Sequence, residues 1–174
     1  MRFVFPSAVY AQQARAFIQE LAAHGECHGV ARLDQYLRES SYEAWVAKVI
    51  RDVDIANPQE GFVPGFTYFY VDEESDEIIG IISIRLYLND FLREQGGHIG
   101  YSIRPSARRR GHATNMLRAA LEFLAPLGIT DVLLTCAKDN VASAKVIQNC
   151  GGVLENEIYS EMFGRITQRY WIKN

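Results

Sequence analysis

The residues best able to do chemistry lie in one short stretch, Tyr101 to Thr114, which reads YSIRPSARRRGHAT. Arg104, Arg108, Arg109 and Arg110 precede Gly111, and an amphipathic helical pattern opens directly after it. The first turn of a helix carries N–H groups with no partner inside the helix and the positive end of its dipole. Small residues there let a backbone approach a ligand, so an anion, and phosphate above all, is the natural guest. The stretch is neither the GxxxxGK[ST] of a P-loop nor the GxGxxG of dinucleotide folds. A solvated basic loop that merely caps a core helix accounts for the same residues equally well.

Sulfur chemistry is less well supported. Cys27, Cys136 and Cys150 form no CxxC pair and no His stands at zinc-finger spacing, so neither a disulfide framework nor a structural metal is expected. The thiols are expected to stay reduced, as in a cytosol. Cys136 ends an apolar run and reads as a core residue rather than a covalent acyl carrier.

The elements that must position these groups follow from composition and periodicity. With 174 residues, 48% hydrophobic and 22% charged, the chain suits one globular domain and excludes disorder and fibres. A net charge of -3 gives the whole surface no reason to seek nucleic acid or anionic lipid. MRFVFPSAVY lacks a long apolar run after its Arg, and Ile78–Ile84 is broken by Gly80 and Ser83, so neither signal peptide nor membrane span is expected.

Ser7 is placed to cap a helix carrying Tyr10, Ala14, Phe17, Ile18 and Leu21, and a second helix is predicted over 41–54 with Ser40 and Glu43 in capping-box spacing. From Phe66 the pattern changes to strands: 66–71 and 77–88 as a hairpin, then 98–103. Ala113, Met116, Leu117, Ala120, Leu121 and Leu124 trace a buried helical stripe. A strand at 131–136, a helix at 140–149 and strands at 153–160 and 166–172 complete the chain. The fold class is α/β (α+β). Strand, helix and strand around 103–131 imply one parallel pair in an otherwise antiparallel sheet flanked by helices.

Arg108, Gly111 and Ala113 fit the pattern [QR]-x-x-G-x-[GA]. With the preceding strand and Pro105 turn, the segment resembles the GNAT superfamily of acetyl-CoA-dependent N-acetyltransferases. Asn140-Val-Ala-Ser143, Lys145-Val-Ile and Gly151-Gly152 are similar to that superfamily's second cofactor-facing helix and the strand after it. The resemblance covers roughly 66–172 as the cofactor-binding core, with 1–60 as variable N-terminal helices of the same domain.

The resemblance implies acetyl-CoA as donor, with no metal, and an amine acceptor. Backbone groups of Tyr101 and Ile103 would pair with the pantetheine amides. The N–H groups of Arg108, Arg109, Arg110, Gly111, His112 and Ala113, with Thr114, would cradle the pyrophosphate, Arg109 and Arg110 would add charge, and Lys145 would reach the adenosine phosphate. Acetyl transfer to an amine needs the ammonium deprotonated, donors for an oxyanion and a partner for the departing thiolate. His98 stands where the family often carries a Glu base, and an imidazole is suited to take a proton at neutral pH. Ile147 stands where many members carry the Tyr that protonates the thiolate. Ser143, three residues after Asn140, is then the candidate to hydrogen-bond the sulfur. Glu26, His28 and Asp34 fall where the N-terminal loop would border the acceptor. The C-terminal strands could pair across a homodimer.

Two other readings are weighed against an enzyme. A non-catalytic acyl-CoA-binding or sensing module fits the departure at Ile147. A nucleic-acid site at Arg108–Arg110 lacks an evident aromatic platform in the sequence.

Overall fold

The computed structural model describes residues 1–26, 30–58 and 60–174, so Cys27 and His28 lie outside the described residues. The chain divides into two compact units, Met1–Ile84 with Gly100–Ala113, and Arg85–Ile99 with Thr114–Asn174. No helix of the described residues is long and apolar enough to cross a membrane.

In the first unit, the N-terminal periodicity becomes α1 (Ala11–Ala23), which buries Ala14, Phe17 and Leu21. Ser7 caps only a single 3-10 turn and makes no side-chain cap bond. Two helices follow, α2 (Leu33–Glu39) and α3 (Tyr42–Asp52). The cap of α3 is Ser41, whose hydroxyl accepts the Ala44 N–H at 3.1 Å, while Ser40 closes α2. Between α1 and α2, Ala31 and Arg32 both hold positive φ, a conformation that side chains resist. Trp45 fixes this turn from below, donating its Nε1–H to the Ala31 carbonyl at 3.0 Å.

The strands of this unit begin with β1 (Arg2–Val4), antiparallel to β2 (Gly65–Val71) with Phe3 opposite Tyr70. Alternation along β2 sends Phe69 and Val71 into a core with Tyr10, Phe17, Leu33, Tyr42, Trp45 and Val49. Trp45 and Phe69 lie 5.6 Å apart, ring to ring. The turn into β3 (Ile78–Arg85) is built on Asp72, whose carboxylate accepts the N–H groups of Glu74 and Ser75. β4 (Ile99–Ile103) closes a sheet of order β1-β2-β3-β4.

In the second unit, α4 (His112–Leu124) buries the expected stripe Met116, Leu117, Ala120, Leu121 and Leu124. β5 (Asp131–Ala137), α5 (Val141–Asn149), β6 (Val153–Ser160) and β7 (Arg165–Lys173) follow, with β7 antiparallel to both other strands in the order β5-β7-β6. Ahead of β4, a single π-turn at Leu92–Gly96 leads to Gly97, where a Cβ would meet the Leu133 carbonyl oxygen at 2.5 Å.

The architecture is thus mixed α/β, with antiparallel sheets flanked by helices. The parallel ladder expected between the strands at 98–103 and 131–136 is not formed: β4 edges one sheet and β5 edges the other. Its physical substitute is one residue. The His98 N–H donates to the Leu133 carbonyl at 2.7 Å, and the Leu133 N–H donates to the His98 ring at Nδ1, so a side chain takes the place of the next ladder carbonyl.

Candidate active site

The basic loop is held from below and open above. Pro105 starts a 3-10 turn, and the Arg108 N–H returns to the Pro105 carbonyl at 3.2 Å. Arg109 then adopts φ 61° and Gly111 φ 80°, so the chain passes twice through the left-handed region before α4 begins. Alternation of that kind turns successive N–H groups toward one side and makes a concavity suited to anions. Among the described residues, no hydrogen bond takes the N–H groups of Arg109, Arg110 or Gly111. A Cβ on Gly111 would meet nothing, so that glycine is present for its φ and for an open approach. Arg109 and Arg110 are exposed and form no ion pair among the described residues. These features fit a pyrophosphate.

Arg108 plays a different part from its neighbours. Its N–H is spent on Pro105, so the unspent N–H groups begin at Arg109. Its guanidinium donates to the Ile103 carbonyl at 3.1 Å and, from both terminal nitrogens, to the Glu26 carboxylate at 2.5 and 2.7 Å. Arg104 is buried, pairing with Glu77 and lying 3.1 Å from Glu20. The other Glu20 oxygen accepts the Ser106 N–H at 2.6 Å. Burial alone would raise the Glu20 pKa, but the hydrogen bonds from Ser106 and the charge of Arg104 outweigh it and hold the carboxyl below its ordinary value. The ring of His112, at the head of α4, meets Tyr70 edge to face at 6.3 Å.

In the second unit, His98 is buried and its ring is set by three neighbours. Burial, then the charges of Arg85 and Arg93, push its pKa down to about 4. The ring is therefore neutral at pH 7, and with Nδ1 accepting from Leu133 the proton resides on Nε2. Nε2–H is a hydrogen-bond donor.

Asn140 caps α5 by accepting the Ser143 N–H at 3.0 Å. The Ser143 hydroxyl hydrogen-bonds the Cys136 thiol, whose pKa burial nevertheless raises to about 11. That keeps Cys136 a thiol and not a nucleophile. His98 and Ser143 are thus anchored three residues apart on β5, roughly 10 Å at about 3.3 Å per residue. Ile147 is fully buried, and a Cβ on Gly152 would strike its side chain at 2.4 Å, so this position packs α5 instead of presenting a polar group. Lys145 is exposed. Of two other hydroxyls on the strands of this unit, that of Tyr170 is buried and donates to Gln168, while that of Tyr159 is exposed.

Of the residues expected to border an acceptor, Glu26 is engaged by Arg108 and Asp34 by Arg38. Reading the sequence overlooked Glu20 and the fixing role of Glu26, because their partners are 82 to 86 residues away and no local spacing announces them. A shallow cavity of about 280 Å³, lined by Lys138, Asp139, Arg165 and Ile166, lies where β5 ends and β7 begins. Among the described residues no three His, Cys, Asp or Glu side chains are grouped to hold a metal.

The acetyltransferase (GNAT) domain family matches residues 3–153. No curated protein gives a significant match. Among solved structures, the ribosomal-protein-S5-alanine acetyltransferase from Vibrio fischeri superposes with a TM-score of 0.73 at 16% identity, over 99% of this chain and 92% of that one. The microcin C7 self immunity acetyltransferase MccE, in complex with acetyl-CoA and AMP, gives 0.73 at 16% identity over 99% and 91%. A chimera of the spermidine N-acetyltransferase SpeG from Vibrio cholerae and hSSAT gives 0.69 at 15% identity over 99% and 96%. Those likenesses show the fold, and the family match, running through both compact units and across the basic loop, shows that the chain belongs to the GNAT acetyltransferases.

Proposed function

We propose that this chain moves an acetyl group from acetyl-CoA to a primary amine by direct attack of the amine on the thioester, with both compact units serving as one acetyltransferase domain. The observation that carries the cofactor assignment is the doubly left-handed loop at Arg109 and Gly111, whose N–H groups are unspent ahead of α4. In this reading the N–H groups of residues 109–113, with Thr114, hold the pyrophosphate, and Arg109 and Arg110 supply charge. Backbone groups of Tyr101 and Ile103 pair with the pantetheine amides. Asn140 holds the first turn of α5 so that Ser143 can turn its hydroxyl from Cys136 to the departing thiolate, and Lys145 meets the adenosine phosphate.

His98 takes a narrower part than a general base. Its Nδ1 is committed and its Nε2 already carries the proton, so it fixes β5 and offers a donor. The acceptor amine therefore reacts from its unprotonated fraction, its remaining proton passing to water as the N–C bond forms and the C–S bond breaks.

The neighbours named for a ribosomal-protein alanine and for spermidine set the two acceptor classes to try first, a peptide N-terminus and a polyamine. A thiol-release screen of purified protein over polyamines, peptides with free N-termini and lysine peptides, with Ser143→Ala alongside, tests the reading. Release with one amine class supports it. Binding of acetyl-CoA with no release over the whole panel favours the sensing module, a reading to which the buried Ile147 lends its weight. Cytosolic placement and a homodimer through the open edge of β6, where Val153, Leu154 and Tyr159 are exposed, belong to the same proposal. Light scattering would show the dimer.

A further inference from the structure

Two carboxylates from α1 and the segment just after it grip the basic loop at three successive points. Glu20 takes the Ser106 N–H at 2.6 Å and lies 3.1 Å from Arg104, and Glu26 takes both terminal nitrogens of Arg108. The grip stops at Arg108, one residue before the chain enters the left-handed turn at Arg109. A pair of this kind is half exposed on both sides, with side-chain exposures of 39% and 42%, and such pairs add little to folding stability. What a planar guanidinium held bidentately by a carboxylate, and at Nε by the Ile103 carbonyl, does provide is geometry. It ties the end of β4 to the base of the loop and consumes the Arg108 cation, leaving Arg109 and Arg110 as the charges available to an anion.

We propose that Glu20 and Glu26 are positioning residues for the anion-binding loop, and that the Arg108 guanidinium acts through the loop's shape and never on the cofactor phosphates. The inference rests on the assignment of that loop to the pyrophosphate of acetyl-CoA. Conversely, cofactor affinity depends on carboxylates that by net charge ought to repel it. Removing a negative group near a basic anion site would tighten an anion by simple electrostatics, whereas removing a positioning carboxylate weakens it.

The test is a charge exchange. Glu26→Arg and Arg108→Glu are made singly and together, with Glu20→Gln as a milder variant. Acetyl-CoA affinity is read by calorimetry, and amide hydrogen exchange over 106–112 is read without ligand. Each single exchange is expected to weaken acetyl-CoA about tenfold and to speed exchange of the loop amides. The double exchange, which restores the pair with its polarity reversed, is expected to recover both to within about threefold. Glu20→Gln should weaken binding a few-fold at a temperature where the variant remains folded. A double variant as weak as Arg108→Glu would overturn the proposal, since that is the result if Arg108 touches the phosphates. Tighter binding by Glu20→Gln would overturn it as well. If the unaltered protein binds no acetyl-CoA, the cofactor assignment fails by itself, and the loop's exchange rates still decide whether the two carboxylates order it: unchanged rates in all four variants would refute the positioning role.

Discussion

Gly111 and Gly97 both hold positive φ beside residues proposed for the reaction, yet for opposite reasons. Gly111, at φ 80°, stands in open space and leaves a concavity of unspent N–H groups. Gly97, at φ 67°, is pressed against β5 so closely that no side chain fits. The first region is exposed, cationic and shaped by ion pairs. The second is buried, and its one imidazole is kept uncharged. A loop for a charged ligand can be stabilised by charges already in water, whereas a buried junction must satisfy each N–H and carbonyl internally. The His98–Leu133 exchange does so with a side chain.

Gly97→Ala should cost about 3 kcal/mol or more, because backbone strain and a clash with the Leu133 carbonyl add together. Gly111→Ala should cost about 1 kcal/mol, for the left-handed φ alone. Chemical denaturation of the two variants measures both, and similar losses would dissolve the distinction between them.

The next effect is set by pH. The folded pKa of His98, about 4, lies below its unfolded value near 6.5, so the neutral ring's contribution is fully present above pH 6.5 and is lost as pH falls toward 4. At about 1.4 kcal/mol per unit the difference is roughly 3 kcal/mol. Denaturation at pH 7 and pH 4.5 should show a loss in the unaltered protein that His98→Gln lacks; equal slopes would mean that the ring is not held neutral. For the same reason kcat/KM should rise steadily toward the pKa of the acceptor amine with no inflection near 6.5. Such an inflection, absent in His98→Gln, would restore the imidazole as base.

Smaller effects separate shape from charge within the exposed region. Arg109→Ala and Arg110→Ala should each weaken acetyl-CoA a few-fold and lessen its salt dependence, without altering stability. Ser143→Ala should lower kcat about tenfold and leave acetyl-CoA affinity unchanged, since a hydrogen bond to the thiolate forms only as the C–S bond breaks.

What was legible in the sequence tracks how local its cause is. The stripe of α4 and the bounds of α5, β6 and β7 follow from neighbours within a few residues, and the structure carries them nearly to the residue. β1, at three residues, and the π-turn at Leu92–Gly96 are too short for any period to show. The basic loop was legible as a candidate anion site because small and basic residues ahead of a helix say the same thing at one place. The grip on that loop was not, since Glu20 and Glu26 meet it only once α1 is folded against the core. His98 was visible as a residue and its surroundings were not: they come from Leu133, Arg85 and Arg93, and spacing cannot show which ring nitrogen accepts a hydrogen bond.

If the turn through Arg109 and Gly111 receives acetyl-CoA, as proposed, binding depends on the open approach at Gly111. Calorimetric titration of acetyl-CoA into the unaltered protein and into Gly111→Val tests it most directly. One site per chain is expected in the unaltered protein, with at least a tenfold loss in the variant at a temperature where both remain folded. Absence of binding, or equal binding by the two proteins, would contradict it.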